Sequence, residues 1–145
     1  MDKSIFWAGL VGAVATIPLV QMAASAKSAT EINKIAQSIT VMISASGSQG
    51  SGVILQKQGD IYTVLTAAHV VKNKSVSYSL VAPDGQKYQI IPGSIRRPTQ
   101  DIDVAVVKFR ASANYPTAKL GNCNLLTGGA ELFVGGYPTP TATIT

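Results

Sequence analysis

"YTVLTAAHVV", Tyr62 to Val71, holds the only histidine of a 145-residue chain. The first half is rich in β-branched and aromatic residues and reads as a strand, Ile61 to Thr66. The small pair Ala67-Ala68 marks the point where that strand must turn. His69 therefore stands at a strand end, where a side chain can leave the core and face a cleft. A lone histidine among valines is ordinarily a hydrogen-bonded core residue. At a strand end it is also placed to accept a proton, because an unperturbed imidazole titrates near ~6.5.

A histidine acting as a base needs a partner that fixes its tautomer. A carboxylate accepting from one ring N–H does this and also stabilises the imidazolium once it forms. The candidate is Asp103, in "QDIDVAVVKF", 34 residues downstream of His69. Strand alternation puts Asp103, Ala105, Val107 and Phe109 on one face, read here as the more buried row. A carboxylate in that row is costly unless hydrogen-bonded, and an imidazole is a suitable donor. Asp101 has the same parity and reads as a turn residue before the strand.

Around this pair the chain reads as a short helix followed by β-structure. In "SATEINKIAQSI", Ile32, Ile35, Ala36 and Ile39 recur with helical spacing, and Ser28 with Glu31 forms a capping-box pattern. This places a helix over roughly Ala29 to Ser38. Strands are expected in "ITVMIS", "GVILQ", "IYTVLT", "VSYSLVA", "QKYQII", "DVAVVKF" and "AELFVGGYP". The segment Ser44 to Gly52 reads as a flexible polar connection. Turn signals at "KQGD" and "PDG" join neighbouring strands, so an antiparallel sandwich or barrel is implied.

Composition narrows the function classes. Apolar residues make up 46% and charged residues 13%, which excludes a disordered chain. The net charge of +5 is scattered, with no basic run longer than Arg96-Arg97, so no nucleic-acid partner is expected. One histidine, one cysteine and few carboxylates form no ligand cluster, so neither a metal nor a cofactor is expected. At the N-terminus, the sixteen uncharged residues Ile5 to Val20 precede "QMAASA", whose Ala24 and Ala26 fit a signal-peptidase site. Residues 1–26 are read as a signal peptide and the chain as exported, to the periplasm or beyond the cell. Contact with a membrane is expected only through an uncleaved signal segment. Cys123 stands alone, so no internal disulfide can form, and the fold must be held by its core.

"GSGVIL" (Gly50 to Leu55), "YTVLTAAHVV" and "DVAVVKF" together resemble the trypsin-like serine protease family. The likeness is closest to bacterial, disulfide-free members of the HtrA/Deg type. Where the vertebrate pattern has a disulfide cysteine directly after the histidine, this chain has Val70. "AKLGNCNLLTGGAELFVGGYP", Ala118 to Pro138, resembles the crossover into the second barrel of those enzymes. The resemblance implies an all-β fold: the N-terminal six-stranded antiparallel barrel of the chymotrypsin-like double-barrel fold, plus the first strand of the second. Beyond the signal peptide (1–26) and the short helix (27–38) read from the residues, it divides the chain into a barrel (39–129) and the start of a truncated second barrel (130–145).

The resemblance also implies a serine endopeptidase acting on protein or peptide substrates, with His69 as general base and Asp103 as its orienting residue. Gly50, Ser51 and Gly52 match a glycine-rich strand entry, where close backbone approach is needed. The family's nucleophile lies in a Gly-Asp/Asn-Ser-Gly-Gly loop whose backbone N–H groups also form the oxyanion hole. No serine here has that setting: Ser112 follows the Asp103 strand closely without flanking glycines, and Ser48 and Ser51 precede the histidine. The nucleophile is absent from these residues, and the chain alone is expected to be inactive. A complementary chain carrying the second barrel is one expected partner. A non-catalytic exported β-barrel module that binds a peptide or protein in the old cleft is the alternative reading.

Overall fold

The computed structural model describes residues 27–137, apart from residues 74 and 100. The signal-peptide reading over residues 1–26 lies outside the described residues. The fold opens with α1 (Ala29–Ile39), begun by the capping box: the Ser28 hydroxyl accepts from the Glu31 backbone N–H, and the Glu31 carboxylate accepts from the Ser28 backbone. None of its residues is fully buried, so the helix lies on the surface, its stripe of isoleucines only partly covered.

Among the described residues six antiparallel strands follow: β1 (Thr40–Ala45), β2 (Ser48–Gln58), β3 (Ile61–Thr66), β4 (Ser79–Val81), β5 (Lys87–Gln89) and β6 (Ala105–Arg110). Their order in the sheet is β5-β4-β1-β2-β3-β6. The sheet curls until the residues just past β5 meet β6, where Ile90 bridges Phe109 and the Ile91 amide donates to the Lys108 carbonyl at 2.8 Å. This is the curled, mostly β architecture of the chymotrypsin-like fold. Its centre is an aromatic cluster. Phe109 stacks on Tyr62 at 5.1 Å between ring centroids, and Tyr88 and Tyr115 close the remaining sides. The Tyr62 hydroxyl is satisfied in the interior by donating to the Ala113 carbonyl and accepting from the Tyr115 amide. Burial pushes the Tyr115 hydroxyl well above its ordinary value, and its bonds to Tyr88 and Asp84 add to the effect.

The sequence patterns match the sheet most closely where side chains alternate. In β6, Ala105, Val107 and Phe109 are fully buried while Lys108 and Arg110 are exposed. Three expectations need correction. The polar stretch Ser44 to Gly52 is not a flexible connection: a tight turn with positive φ at Ser46 and Gly47 joins β1 to a β2 that starts at Ser48. Backbone pairing with β1 decides this, and it is indifferent to side-chain polarity. The strand expected in "AELFVGGYP" does not form over its described part, Ala130 to Tyr137, which has no neighbouring strand to pair with. Finally, Asp103 shares the parity of the buried row but precedes β6 and is exposed.

Candidate active site

The site begins where β3 ends. The Thr66 hydroxyl donates to the Ser51 carbonyl at 2.7 Å, tying the strand end to β2. Ala67 is extended, and the chain then closes a single 3₁₀ turn, Ala68–Val71. The residues after His69 point inward. Val71 is fully buried, and Val70 presses on Gly50, where an added Cβ would lie 2.4 Å from a Val70 methyl. With both valines committed to the interior, His69 is turned outward, its side chain 70% exposed. Gly50 is glycine because Val70 occupies the space a side chain would need, in keeping with the close approach read from the sequence.

Asp103 arrives from the loop before β6 and grips His69 twice. Its Oδ2 lies 2.6 Å from His69 Nδ1, and its Oδ1 accepts the His69 backbone N–H at 2.9 Å. These two bonds, the ring bond first, hold the Asp103 carboxyl below its ordinary value of 3.8. The carboxylate is therefore ionised at neutral pH and can only accept, so Nδ1 carries the proton of that contact, and in the neutral imidazole the lone pair falls on Nε2. Among the described residues Nε2 has no hydrogen-bond partner.

His69 and Asp103 line a cavity of about 1080 Å³, together with apolar Ile95, Pro98 and Ile102 and the cationic Arg96 and Arg97. Asp101 lines the same cavity without touching His69, in keeping with its reading as a turn residue. No serine hydroxyl bonds to His69 among the described residues. Ser51, named in the sequence as part of the strand entry, is occupied elsewhere: its Oγ accepts the Tyr137 amide at 2.7 Å. Cys123 is exposed in a second 3₁₀ turn, Cys123–Leu125, apart from the cavity.

One neighbour of the site was not legible in the sequence. Arg97 Nη2 donates to the carbonyls of Ala68 and Val71, the first and last residues of the histidine turn. Its one sequence signal, adjacency to Arg96, reads as ordinary surface charge.

A search of curated proteins returns no match. A family model does match: the trypsin-like peptidase domain, over residues 50–144. The match takes in the glycine-rich entry of β2, the histidine turn, Asp103 and β6, and it covers more than half of the chain. The chain belongs to the trypsin-like peptidase family.

Proposed function

We propose that this chain carries the proton-handling half of a serine endopeptidase site, with His69 as general base and Asp103 as the group that orients it. The observation that carries the reading is the 2.6 Å contact between His69 Nδ1 and Asp103 Oδ2, which leaves Nε2 unengaged beside a cavity. In the reaction, Nε2 takes the proton of a serine hydroxyl as its oxygen bonds to the scissile carbonyl carbon. The resulting imidazolium keeps its Nδ1–H on Asp103, which stabilises the positive charge. As the carbon–nitrogen bond breaks, the same proton passes from Nε2 to the leaving amine.

The serine and the oxyanion donors are not supplied by these 145 residues. A second barrel, on the same polypeptide or on another, would bring them. It would also cover the His69–Asp103 pair. The pair is exposed as it stands, so its attraction is screened by water, and a dry cleft strengthens the same contact. Loss of a single oxyanion donor lowers the rate on the order of 10²–10³-fold, and loss of the nucleophile lowers it further. The 145 residues alone are therefore inactive, and the substrates of the completed site are proteins or peptides. We also place the protein in an exported compartment, with residues 1–26 as the signal peptide. N-terminal sequencing of the exported form should begin at Lys27.

Labelling with a serine-directed fluorophosphonate tests the main reading. The chain alone should take no label. Fused to a second barrel bearing a Gly-Asn-Ser-Gly-Gly loop, it should label and cleave peptides in a manner that depends on His69. Stoichiometric labelling of the chain alone would show that one of its own serines is activated and would sink the reading.

A further inference from the structure

The single helical turn that carries His69 is held from both ends by one loop. At its start, the Asp103 carboxylate accepts the His69 backbone N–H. From its first residue to its last, one guanidinium nitrogen of Arg97 bridges the turn, donating to the Ala68 carbonyl at 3.2 Å and to the Val71 carbonyl at 3.0 Å. A four-residue turn cannot satisfy its own terminal groups, and Ala67 before it offers no side-chain cap. A carboxylate at the leading N–H and a cation at the trailing Val71 carbonyl match the polarity of the turn.

The Arg97 end of this loop is anchored to the sheet. The backbone of Arg96 exchanges two hydrogen bonds with Val106 of β6, at 2.9 and 2.8 Å, so Arg97 is delivered by the sheet. The Arg96 side chain lines the same cavity and, among the described residues, donates to the Gly93 and Ile95 carbonyls of its own loop rather than to the histidine turn.

We propose that Arg97 is a positioning residue for His69: by tying the two ends of the turn together it keeps Nδ1 aligned on Asp103. The need for it follows from exposure. The imidazole is 70% exposed, and Asp103 is its sole hydrogen-bond partner among the described residues, so ring orientation depends on the turn that bears it. Without Arg97 the Ala68 and Val71 carbonyls pass to water, the turn relaxes, and the Nδ1–Oδ2 contact opens. The inference rests on His69 and Asp103 being base and orienter, as proposed above.

The test uses the full 145-residue chain, isotopically labelled, in which one histidine makes the signal unambiguous. Two quantities are read by NMR: the tautomer of neutral His69, from its ring nitrogen shifts, and the titration midpoint of the Asp103 carboxyl. In the parent chain, Nδ1–H should dominate and Asp103 should titrate below its ordinary value. Arg97→Ala should shift the tautomer toward Nε2–H and raise the Asp103 midpoint, while the β1–β3 amide shifts stay in place. Arg97→Lys, which keeps the charge and a shorter donor, should restore part of both signals. Arg96→Ala removes the same charge from the same cavity and should change neither.

The proposal is overturned if Arg97→Ala retains both signals, or if Arg96→Ala moves them equally, which would make the effect one of charge. Global unfolding of Arg97→Ala also overturns it unless Arg97→Lys, still folded, shows the partial shift. If the parent chain itself lacks the Nδ1–H tautomer, the base-and-orienter reading falls first and takes this inference with it. A parent that has the tautomer beside an unaffected Arg97→Ala removes Arg97 alone.

Discussion

The curled sheet and the segment that follows Tyr115 are similarly supplied with large apolar residues, yet they fold by opposite rules. In the sheet, Ile43, Ile54, Val64, Leu80 and Phe109 are fully buried, each on a strand with a hydrogen-bonded neighbour. Beyond Tyr115, Leu120, Leu125 and Leu132 are more than two-thirds exposed, and Val134 is wholly so. Among the described residues, this segment is tied to the rest by the Ala118 amide on the Ile54 carbonyl and by the Ser51–Tyr137 bonds, and the Gly135 backbone runs close to Ala36. Apolar content alone does not make a strand. A strand also needs a neighbour that pairs with its amides and carbonyls along its length, and among the described residues this segment has no such strand.

The contrast can be broken most strongly in the core. Phe109→Ala removes the ring on which Tyr62, Tyr88 and Tyr115 converge and should cost about 3–5 kcal/mol, measured by denaturant unfolding. A loss below ~1 kcal/mol would mean that the aromatic cluster does not organise the sheet. Gly50→Ala comes next. The new methyl collides with Val70, whose branched side chain has little freedom to move, so a cost of about 1–3 kcal/mol is expected. Because Val70 follows His69, the same substitution should disturb the His69–Asp103 contact. An unchanged His69 spectrum would separate the packing from the site.

On the far side of the comparison, Val134→Asp should shift stability by no more than ~0.5 kcal/mol in this chain, since Val134 touches solvent on all sides. In a fusion to a second barrel the same change should be damaging if that surface becomes covered. A large effect in the chain alone would show that the segment is packed in solution. The smallest effect is local and concerns acid. Asp103 binds its proton less readily when folded than when unfolded, so its contribution to holding the histidine turn is complete above the ordinary carboxylate value of 3.8. That contribution is lost as pH falls through the lower folded value. Amide exchange at His69 should quicken in that acid range while the β1–β3 amides remain protected.

How much was legible depended on what each residue answers to. The strands β3 and β6 were readable because side-chain alternation reports which face is buried, and Val64, Val107 and Phe109 obey it. The helix start was readable because a capping box is a local contact between Ser28 and Glu31. His69 and Asp103 were readable as a pair through the motifs around them. The first half of β2 was not, because Ser48, Gln49 and Gly50 are strand residues by virtue of pairing with β1. The segment through Leu132 misled in the other direction: its residues suit a strand for which the fold offers no neighbour.

By itself the sequence determined the mostly β class, the family and the candidate pair His69 and Asp103, because those rest on local pattern and residue chemistry. Tertiary structure alone decided three things: that Asp103 reaches both the ring and the backbone of His69, that Val70 fills the space above Gly50, and that Arg97 closes the far end of the histidine turn. Each is a contact between segments far apart in the chain, with a distance set by how the sheet curls and the loop before β6 is anchored. No spacing along the sequence encodes such a distance.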